Sequence, residues 1–223
     1  ALSEWLELEI YDGKNVHFQR FERGHYSEEL KVTGKTDKTG TKVRFKPDGT
    51  IFHETVFDYE TLLDRMREQA FLNGGLLINL TDTRDENNIR GESLRYEGGI
   101  ISYVEWLQEM RGAEKLHPDV IYLSGVIEDI TVEAAFQYNT DFNSEAFRSF
   151  ANNIHTPEGG MHETGFKTAL TRVINAYGQK NNIIKGDDKV SGEDVREGIA
   201  AVISVKLPEC EFEGQTKGKL GNP

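Results

Sequence analysis

Near the end of the chain, Phe212-Glu213-Gly214-Gln215-Thr216-Lys217 carries a lysine and an amide side chain on a glycine hinge, after a strand-like run and Pro208. A lysine presented that way can act as a compact point charge on an anion such as a terminal phosphate. The same residues also describe a polar surface tail after a last strand, and nothing in their own spacing decides between the two. Other chemistry is not built into the sequence. The six histidines, His17, His25, His53, His117, His155 and His162, never pair at the i, i+4 spacing of a helical zinc site, and no carboxylate is placed to complete one. Gly159-Gly160 with Gly165 faintly suggests a phosphate loop but has neither the GxGxxG nor the Walker spacing, and reads by default as the hinge that lets a strand turn into the long helix. Serine, cysteine and carboxylate nucleophile signatures are absent.

The residues that would position such a lysine belong to an ordinary globular chain. Its 223 residues, 37% hydrophobic and 29% charged, allow one large domain or two small ones with a real core. A net charge of −12, acidic on both sides of Glu97, argues against nucleic acid held by the general surface. One stretch differs: from Thr164 to Gly186 there are Lys167, Arg172, Lys180 and Lys185 and no acid, which by default is a solvated helix surface. Cys210 is the single cysteine, so an internal disulfide and a cysteine-based zinc cluster are excluded, as suits a reducing compartment. No apolar run approaches the ~18 residues that span a bilayer. The chain opens on Ala1-Leu2-Ser3-Glu4 and runs straight into a strand pattern, as a piece of something longer would.

Leu6, Leu8 and Ile10 alternate with Glu7 and Glu9, the period of a half-buried strand, and Asp12-Gly13 turns it into a second strand over 16–21. Residues 23–38 read as a loop or short edge strands, and 42–45 as a third strand stopped by Pro47-Asp48-Gly49. Asp58 predicts a helix over 59–71 with Leu62, Leu63, Met66 and Ala70 on one face, ended by Gly74-Gly75. Strands at 76–80 and 93–96 around a hairpin loop complete the expectation of one antiparallel sheet with a helix on one face. Gly98-Gly99 marks the expected domain boundary. Beyond it come a short helix carrying Ile101, Val104 and Leu107 and strand candidates at 120–126, 130–138 and 146–154. A long helix follows, with Phe166, Leu170, Val173, Ile174 and Tyr177 on its stripe, then a capped short helix at Ser191 and an apolar strand over 199–207. The residues alone thus predict an α+β protein of two modules that contributes to an anion site at most.

Several blocks in fixed order say more. They are Ala1-Leu2-Ser3, Lys38-Thr39-Gly40-Thr41-Lys42-Val43, Tyr96-Glu97-Gly98-Gly99-Ile100 and Ala151-Asn152-Asn153-Ile154. Further on come Gly159-Gly160-Met161-His162-Glu163 with Gly165-Phe166, then Ser191-Gly192-Glu193-Asp194-Val195-Arg196-Glu197-Gly198. The last is Phe212-Glu213-Gly214-Gln215-Thr216-Lys217 with Lys219-Leu220-Gly221. In this register the chain resembles the DNA gyrase B family of bacterial type II topoisomerases, whose ATPase is of the GHKL class, along essentially its whole length. The resemblance implies that residues 1–98 are the second part of the ATPase domain, an antiparallel sheet with a helix. It implies that 99–223 are a transducer domain whose βαβ crossover is left-handed, against the usual rule.

By the same resemblance, Lys217 contacts the γ-phosphate of ATP as the catalytic point charge and Gln215 hydrogen-bonds a phosphate oxygen. Thr41, with Gly40 and Val43 beside it, lies on the adenine side. Arg172 lines a DNA-holding cavity. The nucleotide would be ATP with Mg2+ and the compartment cytoplasmic, with no membrane. The partners would be the gyrase A protein, a second copy of gyrase B, and DNA. ATP would close two subunits into a gate for strand passage and negative supercoiling, and hydrolysis would reset it. The family's Mg-ligating asparagine, catalytic glutamate and glycine-rich lid all lie before Ala1, so this stretch alone is expected to be inactive. Asp12 stands where many relatives carry an arginine, and Thr140-Asp141 replaces an aspartate-glycine turn. Two alternatives stay open: the B-type subunit of topoisomerase IV, and a non-catalytic signalling module. Ile203-Ser204-Val205-Lys206-Leu207-Pro208 and Tyr96-Glu97-Gly98-Gly99 lean towards gyrase.

Overall fold

A computed structural model describes residues 2–142, 145–185 and 188–222. The chain divides into two compact units, Ala1–Tyr59 and Glu60–Pro223. The first is a sheet of β1 (Ser3–Asp12), β2 (Asn15–Glu22), β3 (His25–Tyr26), β4 (Lys31–Lys35) and β5 (Thr39–Pro47), in order β3-β2-β1-β5 with β4 also on β2. The β1–β2 turn is held by Asp12, whose Oδ1 accepts from the amides of Lys14 (2.8 Å) and Asn15 (2.6 Å) and whose Oδ2 meets His17 Nε2 at 2.9 Å. The Asn15 amide, then His17 and the Lys14 amide, keep this carboxyl well below the usual range. Asp12 therefore has a structural task in its own hairpin.

Cross-strand register separates the two faces of this sheet. Leu6 sits between Phe21 and Phe45, and Leu8 between Gln19 and Val43, on one face. On the other, Glu7 bonds Arg20 (2.6 Å) and Arg44 (3.2 Å), and Glu9 bonds Lys42 (3.3 Å). Such exposed pairs add only about 0–1 kcal/mol each; they mark the face turned to water. The apolar face stays open, with Val43 52% and Phe45 50% exposed and no strand residue of the unit fully buried.

The second unit begins with α1 (Tyr59–Leu72), then β6 (Ile78–Asp82) and β7 (Arg90–Leu94), which pair with each other. The expected single sheet is therefore two: 76–80 does not extend the first sheet's strand order but forms its own ribbon. The break at Gly98-Gly99 lies inside this unit, as the turn into α2 (Ile100–Arg111). The remaining elements are β8 (Ile121–Ile127), β9 (Ile130–Tyr138), β10 (Ala146–Ala151), β11 (Ile154–His155), α3 (Met161–Lys180), α4 (Gly192–Arg196), β12 (Ile199–Lys206), β13 (Phe212–Glu213) and β14 (Lys219–Leu220). The strand candidate 146–154 is cut in two because Asn152 and Asn153 take the left-handed conformation, φ 47° and 62°.

The main sheet runs β11-β10-β12-β9-β8. All its pairs are antiparallel except β10–β12, which are parallel and joined by a crossover through α3 and α4. β12 is central and buried throughout except at Lys206. Its side chains alternate between two apolar layers. Ala200 and Val202 join Phe71, Tyr103, Val104, Leu107 and Phe150 against α2, while Ile199 and Ala201 join Phe136, Phe166 and Leu170 against α3. Val173 and Tyr177, further along the α3 stripe, remain 59% and 63% exposed. The Ser191 capping box forms in both directions, Asp194 N to Ser191 Oγ and Ser191 N to Asp194 Oδ2. No helix among the described residues is long and apolar enough to cross a membrane.

Phe71 links α1 to this core, stacking on Tyr96 (centroids 3.7 Å apart) and Tyr103 (4.5 Å) with no exposure of its own. Phe71→Ala is expected to lower the unfolding free energy of the second unit by about 3–5 kcal/mol. Urea unfolding followed by tyrosine and tryptophan fluorescence measures this; a change under about 1 kcal/mol would contradict the packing role.

Candidate functional site

The lysine loop is the tip of a two-stranded hairpin. Phe212 pairs with Leu220 and Glu213 with Lys219, leaving residues 214–218 to turn the chain. Gly214 supplies the turn with φ 75°, and Lys217 itself takes φ 56° with its amide donating to the Gly214 carbonyl at 3.4 Å. A left-handed lysine is uncommon. It points the backbone of Lys217 away from the strand direction and leaves the side chain exposed, its ammonium 5.8 Å from the Phe212 ring centroid.

The two lysines of the hairpin differ in what they face. Lys219 Nζ lies 3.0 Å from Glu213 and is neutralised there. Lys217 has no carboxylate partner among the described residues, and the exposed Gln215 amide is likewise without a side-chain partner among them. The arrangement thus offers one uncompensated ammonium and one free amide to an incoming anion.

Beneath the tip, the hairpin is tied to the turn that opens α3. Glu158 N donates to Gly218 O at 2.9 Å, Leu220 N donates to Gly159 O at 3.1 Å, and Gly160 bridges Leu220 in parallel. Leu220 is buried with Ala151 and Val205. The same turn opens a buried polar cluster. Ser149 Oγ donates to Glu163 Oε2 (2.8 Å) and meets Thr156 Oγ1 (2.9 Å), which in turn lies 3.2 Å from His162 Nε2. Burial pushes the His162 pKa down, so this histidine is a neutral member of the packing.

Lys167, in the stretch without acids, is nevertheless paired, with Glu145 (2.5 Å) and Glu163 (2.9 Å), and Arg196 shares Glu145 at 3.1 Å. Burial pushes the Glu145 carboxyl up, but Lys167 and Arg196 outweigh it and the net shift is downward. Arg172 has no carboxylate partner among the described residues and lines, with Lys167, Arg196 and three threonines, an open groove of about 570 Å³. The i, i+4 spacing of Glu163 and Lys167 was a readable signal for half of this network. Glu145 lies too far away in sequence to have been found.

In the first unit, Thr41 and Val43 alternate with Lys42 on β5 and so share a face, Thr41 opposite Ile10 and Val43 opposite Leu8. Gly40 has φ 146° opposite Tyr11. The candidate residues thus fall into three groups: Gly40, Thr41 and Val43 on β5, Gln215 and Lys217 on the hairpin tip, and Arg172 on α3. No group of three histidine, cysteine or acidic side chains able to hold a metal gathers among the described residues.

Comparison with known proteins identifies the family. The family model for DNA gyrase B matches residues 99–223. The DNA gyrase B subunit of Halalkalibacterium halodurans is 54% identical over all of this chain, which spans 34% of that protein's length. The solved 43K ATPase domain of Thermus thermophilus gyrase B, in complex with an aminocoumarin, superposes with a TM-score of 0.83 at 36% identity, covering 100% of this chain and 59% of that one. The topoisomerase IV ATP-binding domain of Francisella tularensis, in complex with a small-molecule inhibitor, gives 0.79 at 28% identity, covering 100% and 59% respectively. With the family model over more than half its length, the ordered blocks from Ala1 to Gly221 are explained: the chain belongs to the DNA gyrase B family.

Proposed function

We propose that this chain is the part of a gyrase B protein that senses the terminal phosphate of ATP and passes the signal on. In this reading residues 1–98 complete the GHKL-type ATPase domain and 99–223 are the transducer. Gyrase is preferred to topoisomerase IV because the matched family model and the 54% identical relative are both gyrase B. The reaction of the whole protein is ATP-dependent negative supercoiling in the cytoplasm, with the gyrase A protein, a second copy of gyrase B and DNA as partners. The observation that carries the reading is the exposed Lys217 ammonium, without a carboxylate partner among the described residues, beside a neighbouring lysine that has one.

Lys217 supplies positive charge where the γ-phosphate gathers negative charge during transfer, and a preset charge at that point lowers the barrier. Gln215 hydrogen-bonds a phosphate oxygen. Thr41, flanked by Gly40 and Val43, holds the adenine side by hydrogen bonds. Mg2+, for which no ligand cluster gathers among the described residues, would supply further neutralisation of the phosphates in the whole protein. Once the γ-phosphate leaves, Lys217 loses its anchor and the loop is free to relax, which makes nucleotide state a two-state bias on the transducer. Arg172, with no carboxylate partner among the described residues, is the side chain proposed to meet the phosphates of DNA, at a local exception to an acidic surface.

Lys217→Ala in the complete gyrase B protein is expected to slow ATP hydrolysis by about 100-fold, the scale of losing one preorganised charge donor, and to change ADP affinity by less than about threefold. Steady-state hydrolysis and ADP titration measure the two, and equal losses in both would contradict a γ-phosphate role. The open apolar face of the first unit and the catalytic groups placed outside this stretch by the resemblance lead to a second expectation. The chain by itself neither hydrolyses ATP nor binds a non-hydrolysable analogue tightly. Calorimetric titration should show no saturable heat at micromolar protein; a micromolar Kd would overturn this.

A further inference from the structure

The hairpin that carries Lys217 is free at one end and clamped at the other. At the front, Gly214 is exposed and nothing lies within 4 Å of where its Cβ would be. At the back, Gly218 is buried, its carbonyl takes the Glu158 amide, and an added Cβ would lie 2.6 Å from Glu158 Oε1. Two residues on, Leu220 bonds Gly159 and lies against Gly160, where an added Cβ would meet the Leu220 carbonyl oxygen at 2.5 Å and its Cβ at 2.8 Å. Gly160 has φ 146°, a backbone conformation side chains rarely adopt, so two independent constraints demand glycine there.

We propose that Gly160 and Gly218 are positioning residues for Lys217, and that through them the phosphate-contacting loop moves as one body with the N-terminus of α3. This rests on the phosphate reading of Lys217. Gly218 adjoins Lys217 in the chain, so the clamp sets where the ammonium stands. Leu220, buried at 3% exposure, prevents β14 from sliding independently. Gly160 is also the N-cap residue of α3 and supplies no side-chain cap, so the helix start is located by this backbone contact and by Glu163 on Ser149. A displacement of Lys217 towards or away from a phosphate is absorbed at Gly214 or transmitted to α3, and the clamp favours transmission. Arg172 sits twelve residues further along α3, about 18 Å at 1.5 Å per residue.

The test is a double-variant cycle in the complete gyrase B protein, reading kcat and KM for ATP and Kd for ADP. Gly160→Ala is expected to lower kcat by about tenfold or more with ADP Kd within about threefold, and the pair Gly160→Ala with Lys217→Ala should be no slower than Lys217→Ala alone. If the two losses multiply in the double variant, the glycine acts elsewhere and the positioning claim falls while the phosphate reading stands. If Lys217→Ala leaves kcat unchanged, the phosphate reading fails and this inference with it. Should Gly160→Ala not fold, Leu220→Ala serves alone, because it removes the buried side chain that holds β14 and leaves the residues of the loop tip in place. It should lower kcat several-fold with ADP Kd within about threefold. No loss, or an equal loss in ADP affinity, overturns the clamp.

Discussion

Every side chain of β12 from Ile199 to Val205 is out of water, and that single constraint arranges the second unit. Burying each of Ile199, Val202, Ile203 and Val205 is worth about 1.5–3 kcal/mol, but only if both faces of the strand are covered. α2 covers one face and α3 the other. Because β10 runs parallel to β12, the chain needs a long crossover between them, and that crossover is α3 with α4. The turn that starts α3 is therefore fixed relative to the sheet, and it is this turn that receives β14 and the lysine hairpin. Position is handed from an apolar strand to a polar loop by backbone contacts.

Charge is apportioned in a similar way. The net −12 would discourage any polyanion, yet Lys217 and Arg172 have no carboxylate partner among the described residues, while Lys167 and Lys219 are each neutralised. Pairing separates the cations engaged within the structure from those left to solvent. In the first unit the ladder of Glu7, Arg20 and Arg44 marks the solvated face of the sheet. The opposite face, with Leu6, Leu8, Val43 and Phe45, has the composition of a core layer, yet Val43 and Phe45 are half-exposed. That contrast sets Thr41 and Val43 on a surface suited to being covered.

Much of the fold could be read beforehand where the pattern is local. The Asp12-Gly13 hairpin, the helix from Tyr59, the Ser191 capping box and the apolar strand ending near Lys206 are each specified by neighbouring residues, and each is present. What could not be read depends on distant partners. The ribbon of β6 and β7 has the same alternation as a strand of the first sheet, so its separate pairing was invisible. Asn152 and Asn153 break a strand by a conformation that sequence only permits. For the site, Lys217 was visible as a cation on a hinge, but the phosphate role proposed for it rests on the order of blocks along the chain. The clamp at Gly160 and Gly218 was not legible at all, since a glycine needed for close approach looks the same in sequence as a glycine in a loop.

By the backbone contacts of Gly159, Gly160 and Gly218, the hairpin bearing Lys217 is proposed to belong mechanically to the start of α3. Native-state hydrogen exchange of single amides tests it most directly. The Leu220 amide, bonded to Gly159, and the Glu158 amide, bonded to Gly218, should be protected to within about tenfold of each other. Both should exchange at least about 100-fold more slowly than Gln215 and Thr216 at the tip. Leu220 and Glu158 exchanging as fast as the tip would mean that the loop opens independently of α3, and the account would be wrong.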